Sequence, residues 1–156
     1  MTYRIDGLSP EPFRPLFGLS EAELADHQAV RVTADEDFGF PCRITLQDAA
    51  RGETLILLNH VSQDAATPYR ASHAIFVREL AAEPATYVDE APPVFAGRTL
   101  SLRGFDSGGM MRDARLALPG EAEPAILALF EQPDIDTIHA HSATRGCFVA
   151  RIERTS

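Results

Sequence analysis

The chain has 156 residues, 45% of them apolar and 24% charged, a balance that suits one globular domain over residues 1–156 and excludes a disordered or fibrous chain. Its net charge of −9, with no run of Lys or Arg to offset it, repels a phosphate backbone and argues against nucleic acid as a partner. No segment is long and apolar enough to span a membrane, and the first residues lack the apolar core of a signal peptide. The two cysteines, Cys42 and Cys147, form no C-x-x-C. They read as a reduced pair, so the expected location is the cytoplasm, with no membrane partner.

In chain order, residues 3–8 predict a short edge strand broken by Ser9-Pro10-Glu11-Pro12. Phe13, Leu16 and Phe17 share one face of a helical turn that Gly18 ends. Ser20 with Glu23 is a capping box, in which each residue's side chain reaches the other's backbone amide, and it predicts a helix over residues 21–27. Residues 30–33 alternate as a strand. Asp35-Glu36-Asp37 lacks the glycine and the distal glutamate of a calcium loop and reads as a solvated turn. Residues 44–46 extend from Phe40-Pro41-Cys42-Arg43. Residues 53–61 are apolar on both faces, which predicts a central strand covered on both sides. Residues 74–78 predict its antiparallel neighbour.

Residues 80–95 carry Pro84, Pro92 and Pro93 and read as an irregular arm. Asp106-Ser107-Gly108-Gly109, between β-type runs at 98–105 and 110–118, predicts a hairpin, with Leu100 and Leu102 facing the core and Ser101 and Arg103 facing away. Ile126, Leu129 and Phe130 form one stripe of a helix over residues 122–131. Residues 135–141 and 147–153 predict a second hairpin. The sum is an α+β fold with a mostly antiparallel sheet, curled or barrel-like, and two or three short helices. There is no strand, Gly-rich loop and helix unit of the kind that binds nucleotides.

Several blocks stand in a specific order: Phe40-Pro41-Cys42-Arg43, Gly52-Glu53 with residues 55–58, Pro68-Tyr69 with residues 72–79, and Arg145-Gly146-Cys147-Phe148 with Ala150-Arg151. In these the chain resembles the bacterial family of uncharacterised proteins catalogued as domain of unknown function 1203. The resemblance implies a bacterial protein and brings no activity, substrate or catalytic residue with it.

Three constellations carry chemistry. His139-Ala140-His141 puts two imidazoles on one face of a strand, and with a third ligand such as His73 the pair can hold a transition metal. Cys42 beside Arg43, or Cys147 beside Arg145, has the cation that favours a thiolate, although cysteine is also among the most buried residue types. Arg43, Arg70, Arg78 and Arg145 supply forks that match a carboxylate or a phosphate, against the alternative of ion pairs with neighbouring acids. The first reading is therefore a small-anion or metabolite-binding domain whose ligand-binding candidates are Cys42, Arg43, Tyr69, Arg70, His73, Arg145 and Cys147. The alternatives are a His-based enzyme, with a transition metal on His139, His141 and His73 or without one, and an assembly protein that uses the proline-rich arm to contact a partner or a second copy.

Overall fold

A computed structural model describes residues 2–155. Nine strands among the described residues form two antiparallel sheets: β1 (Tyr3–Asp6), β2 (Val30–Thr33), β3 (Thr54–Gln63), β4 (Ala71–Arg78), β5 (Thr86–Val88), β6 (Leu100–Phe105), β7 (Met111–Ala117), β8 (Thr137–Ser142) and β9 (Phe148–Arg154). The larger sheet has the order β5-β1-β9-β8-β6-β7 and the smaller has the order β2-β3-β4. Among the described residues there are two α-helices, α1 (Glu21–Asp26) and α2 (Ala122–Phe130). The fold is mostly β, which corrects the expected α+β class, and the sheets do not close into a barrel. The edges stay open because β5 and β7 end the larger sheet without pairing to each other.

Local chemistry explains most elements. Ser20 Oγ accepts from the Glu23 amide at 3.2 Å and Glu23 Oε1 accepts from the Ser20 amide at 3.1 Å, completing the capping box that starts α1. In the β6–β7 hairpin Asp106 Oδ1 accepts from the amides of Gly108 and Met110 at 2.9 and 3.0 Å, while Gly109 supplies the left-handed backbone at φ +85°. The 122–131 expectation is met by α2, whose Ile126, Leu129 and Phe130 pack on Leu100, Leu102, Ile138 and Ile152 from one face of the larger sheet. The second expected hairpin is β8 with β9.

Two expectations change. Residues 3–8 do not make an edge strand: β1 lies between β9 and β5. The partner that covers it comes from the supposedly irregular arm, where Thr86–Val88 pairs with β1 and where Val94 and Phe95 are buried in the chain's own core. Proline excludes regular pairing only at its own position, and the three residues between Pro84 and Pro92 that form β5 are free of it.

The smaller sheet lies across the other face of the larger one. Its central strand β3 is covered on both sides near its start, since Leu55 and Ile56 are both fully buried in different clusters. On one face the register sets Ile56 opposite Val77, Leu58 opposite Ile75 and His60 opposite His73. The apolar end of that face packs with Phe13, Leu16, Leu24, Cys42 and Ile44, which leaves the two imidazoles at the far end.

The two units are tied by backbone contacts around Gly7. Its amide donates to Ala85 O at 2.8 Å, the Ala85 amide donates to Ile44 O at 2.9 Å, and the Leu8 amide donates to Arg43 O at 2.8 Å. A Cβ on Gly7 would lie 1.9 Å from Ile44 O and 3.2 Å from Ala85 N, both backbone atoms. Gly7→Ala is therefore expected to destabilise the protein by about 2–3 kcal/mol, because main chain rather than a flexible side chain must move. Thermal denaturation checks this, with a fall in Tm of roughly 5–10 °C expected for a chain of this size.

Candidate functional site

Where the smaller sheet meets the larger one, four histidines from three strands converge. Alternation along β8 puts His139 and His141 on the face opposite α2, and the register places Arg103 and Ser101 of β6 beside them. The imidazole rings of His139 and His141 are 6.5 Å apart between centroids. His73, at the imidazole end of β4, stands edge-on to His141 at 5.0 Å. His60 of β3 lies 5.8 Å from the ring of Phe148, which also meets His139 at 5.5 Å and His141 at 5.8 Å. Phe105 closes on His139 at 4.8 Å, and Phe13 on His60 at 6.2 Å. The cluster is thus a set of imidazoles separated and walled by phenyl rings. His139 and His141 are buried, and His60, His73 and Arg103 are half-buried.

Burial keeps these histidines neutral. It pushes His141 down to about 3, an effect that Arg103, His73 and His139 add to and the Gly146 carbonyl opposes. It pushes His139 down to about 4, with the charges of Arg151 and Arg103 adding to the effect. His73 is lowered by burial and by Arg103, and His60 by burial and by Arg43. No carboxylate is among the charges that act on any of the four. His141 Nδ1 lies 2.8 Å from Gly146 O, a pure acceptor, so that nitrogen carries the proton and Nε2 keeps its lone pair. The Nδ1 atoms of His73 and His139 are buried with no hydrogen-bond partner.

Two guanidiniums border the cluster. Arg103 donates to Ser101 Oγ at 3.2 Å. Arg43, 4% exposed, donates to Phe148 O at 2.8 Å and to Pro41 O at 2.7 Å, and burial lowers it to about 10. Neither forms an ion pair among the described residues, and neither does half-buried Arg154, which donates to Ile135 O and Gln132 O and lies over the Phe130 ring, whereas Arg31 pairs with Glu79, Arg78 with Glu53 and Arg98 with Asp48, each at 2.7 Å.

The residues singled out from sequence divide accordingly. Arg43, His73, His139 and His141 come together at this junction. Cys147, half-buried and free, begins the approach to β9. Tyr69 is exposed, its ring edge-on to Phe105 at 6.5 Å. Arg70 is exposed and paired with Asp64, Arg78 is taken by Glu53, and Arg145 lies on the exposed turn before β9. Cys42 is fully buried, and its sulfur accepts from the amides of Ile44, Thr45 and Arg78 at 3.2–3.5 Å. It fixes the 41–46 segment as part of the core. The two sulfurs are not bonded to each other. Among the described residues no group of three His, Cys, Asp or Glu is arranged to hold a metal ion.

Sequence reasoning missed Arg103, Phe105 and Phe148 as members of the cluster. The signal was present in Arg103, one of the alternating residues directed away from the α2 core, but the face it points to is covered by a second sheet rather than by water. A shallow surface depression lined by Arg115, Leu116, Glu121, Pro124, Ala125 and Ala128 lies between β7 and α2 and includes none of the histidines. No helix among the described residues is long and apolar enough to cross a membrane.

Two antiparallel sheets meeting over an imidazole cluster define the chain as a mostly β protein. The family model described as "Protein of unknown function (DUF1203)" matches residues 39–154, which include every strand of the cluster, and the chain belongs to that family. No curated protein and no solved structure matches the chain.

The neutral histidines make stability depend on acid. Their folded values lie below the ordinary 6.5 that the unfolded chain has, so the unfolded state binds more protons between the two. The stabilisation is complete above about pH 6.5 and is lost as the pH falls from there towards 4. Between pH 7 and pH 5 the wild type is expected to lose about 1–2 kcal/mol more than His139→Leu, as urea denaturation at the two pH values measures.

Proposed function

We propose that this protein binds a small anion, a carboxylate or a tetrahedral oxyanion, at the junction of the two sheets, with Arg103 as the main charge and His73, His139 and His141 as neutral hydrogen-bonding groups around it. The observation that carries the reading is two sheltered guanidiniums set beside four histidines, with no carboxylate among the charges that act there. In a chain of net charge −9, Arg31, Arg78 and Arg98 each have a carboxylate, while Arg43 and Arg103, beside the histidines, have only carbonyls and a hydroxyl. Sheltering a guanidinium without a counter-charge costs free energy, and a bound anion offsets that cost. Half-buried His60, His73 and Arg103 give the ligand a way in from solvent. Phe105 and Phe148 lower the local polarity, which strengthens a charge-assisted bond.

Arg43 belongs to this reading as a support. Its bonds to the carbonyls of Phe148 and Pro41 hold β9 against the 41–46 segment, and its charge adds to the positive potential near His60.

Differential scanning calorimetry with millimolar sulfate, phosphate and malonate, each against sodium chloride of the same ionic strength, tests the reading. At an anion concentration ten times Kd the wild type gains about 1.4 kcal/mol. Arg103→Gln is expected to stay folded and to lose that gain at least tenfold in affinity, whereas Arg70→Gln, which alters an exposed arginine paired with Asp64, keeps it. An equal response in wild type and Arg103→Gln for all three anions refutes the proposal.

A further inference from the structure

The geometry points to a proton-linked site: an anion seated over Arg103 is bound together with one proton from solvent, which lodges on the His73–His139–His141 group. The inference rests on the anion reading above and adds how the site is regulated. Three observations carry it. The rings are close enough to share one charge, with His73 5.0 Å from His141 and His139 6.5 Å from it. Two of the rings, His73 and His139, have an Nδ1 that is buried and bonded to nothing in the protein, so it has no protein acceptor for a second N–H. Every charge that acts on the group is positive: Arg103 on β6, Arg151 on β9 and the neighbouring histidines, with Arg43 acting on His60 of β3.

Without an anion a protonated imidazole here lacks both a counter-charge and an acceptor, so the neutral form prevails at pH 7. Glu153, on the same face of β9 further along, is engaged by Arg151 at 2.5 Å and by Arg4 at 3.3 Å. Asp6 is engaged by Arg4 at 2.6 Å. An anion brings what the cluster lacks, negative charge and oxygen acceptors at the unpartnered ring nitrogens. The protonated ring is then favoured by the same short-range Coulomb attraction that holds the anion to Arg103. Linkage makes the effect reciprocal: if the anion promotes protonation, protonation tightens the anion.

His141 is the fixed member, because its Nδ1–H is committed to Gly146 O and a second proton enters at Nε2. His73 is the entrance, half-buried on a different sheet. The site therefore favours an anion in mildly acidic surroundings and releases it as pH rises.

Sulfate is the probe, since it stays a dianion over this range and any proton taken up belongs to the protein. Isothermal titration of the full chain with sodium sulfate at pH 7.5 and pH 6, in two buffers of different ionisation heat at each pH, reads affinity and proton count together. The expected result is sulfate bound tighter by about tenfold per pH unit as pH falls, the slope for one proton taken up. His139→Gln and His73→Gln each reduce that slope, whereas Arg70→Gln, outside the site, leaves both affinity and slope unchanged. Circular dichroism at both pH values confirms that each sample is folded. Sulfate bound with equal affinity at both pH values and no proton uptake overturns the linkage and leaves the anion reading standing. No sulfate binding at either pH overturns both.

Discussion

Four imidazoles and two guanidiniums share the seam between the sheets, and no carboxylate is among the charges that act on those imidazoles. That segregation constrains the rest of the structure. A face lined by neutral imidazoles can be buried against another sheet, because a neutral ring is half apolar and packs edge-on against Phe148 and tilted against Phe105. A face of charged groups cannot be buried in this way without partners. The smaller sheet accordingly shows a gradient along one face, from Ile56 and Val77 through Leu58 and Ile75 to His60 and His73. Its apolar end is a core, and its imidazole end is the place where the two sheets touch.

The segment between β2 and β3 holds the seam in register without being a strand itself. Pro41 bridges to Asp48, and Cys42 bridges to Phe76. The Cys42 sulfur gathers three amides, and Arg43 reaches β9 through the Phe148 carbonyl. Four contiguous residues thus connect both sheets. Phe40-Pro41-Cys42-Arg43, which stood out in the sequence by chemical type, is a joint: one side chain is packed inward and the next is stretched across the gap.

Much of the fold was legible because its signals are local. The capping box of α1, the apolar stripe of α2 and the Gly-rich β6–β7 turn each depend on residues a few positions apart. What was lost depends on distant partners. β1 reads as an edge until β5 is seen to cover it, and β5 hides between prolines. The cluster needed two facts that no window of sequence contains: that β3 and β4 pair so as to set His60 against His73, across a register shift between Val61 and Gln63, and that the face of β6 carrying Arg103 is covered by another sheet. His139 and His141 were found because their spacing of two is itself local. Arg70 and Arg78 resembled Arg43 in sequence, and only the placement of Asp64 and Glu53 separates them from an arginine without a carboxylate.

The short strand β5 has a further consequence. It is an outer border of the larger sheet, three residues long, with Val88 about half exposed and prolines on either side at Pro84, Pro92 and Pro93. An incoming chain that tried to extend the sheet here would meet a row too short for more than a couple of main-chain bonds, flanked by residues that have no amide hydrogen to give. The same arm that shields β1 from solvent therefore terminates sheet growth on that side, a built-in brake on self-templated aggregation in a protein with an otherwise open-edged β architecture.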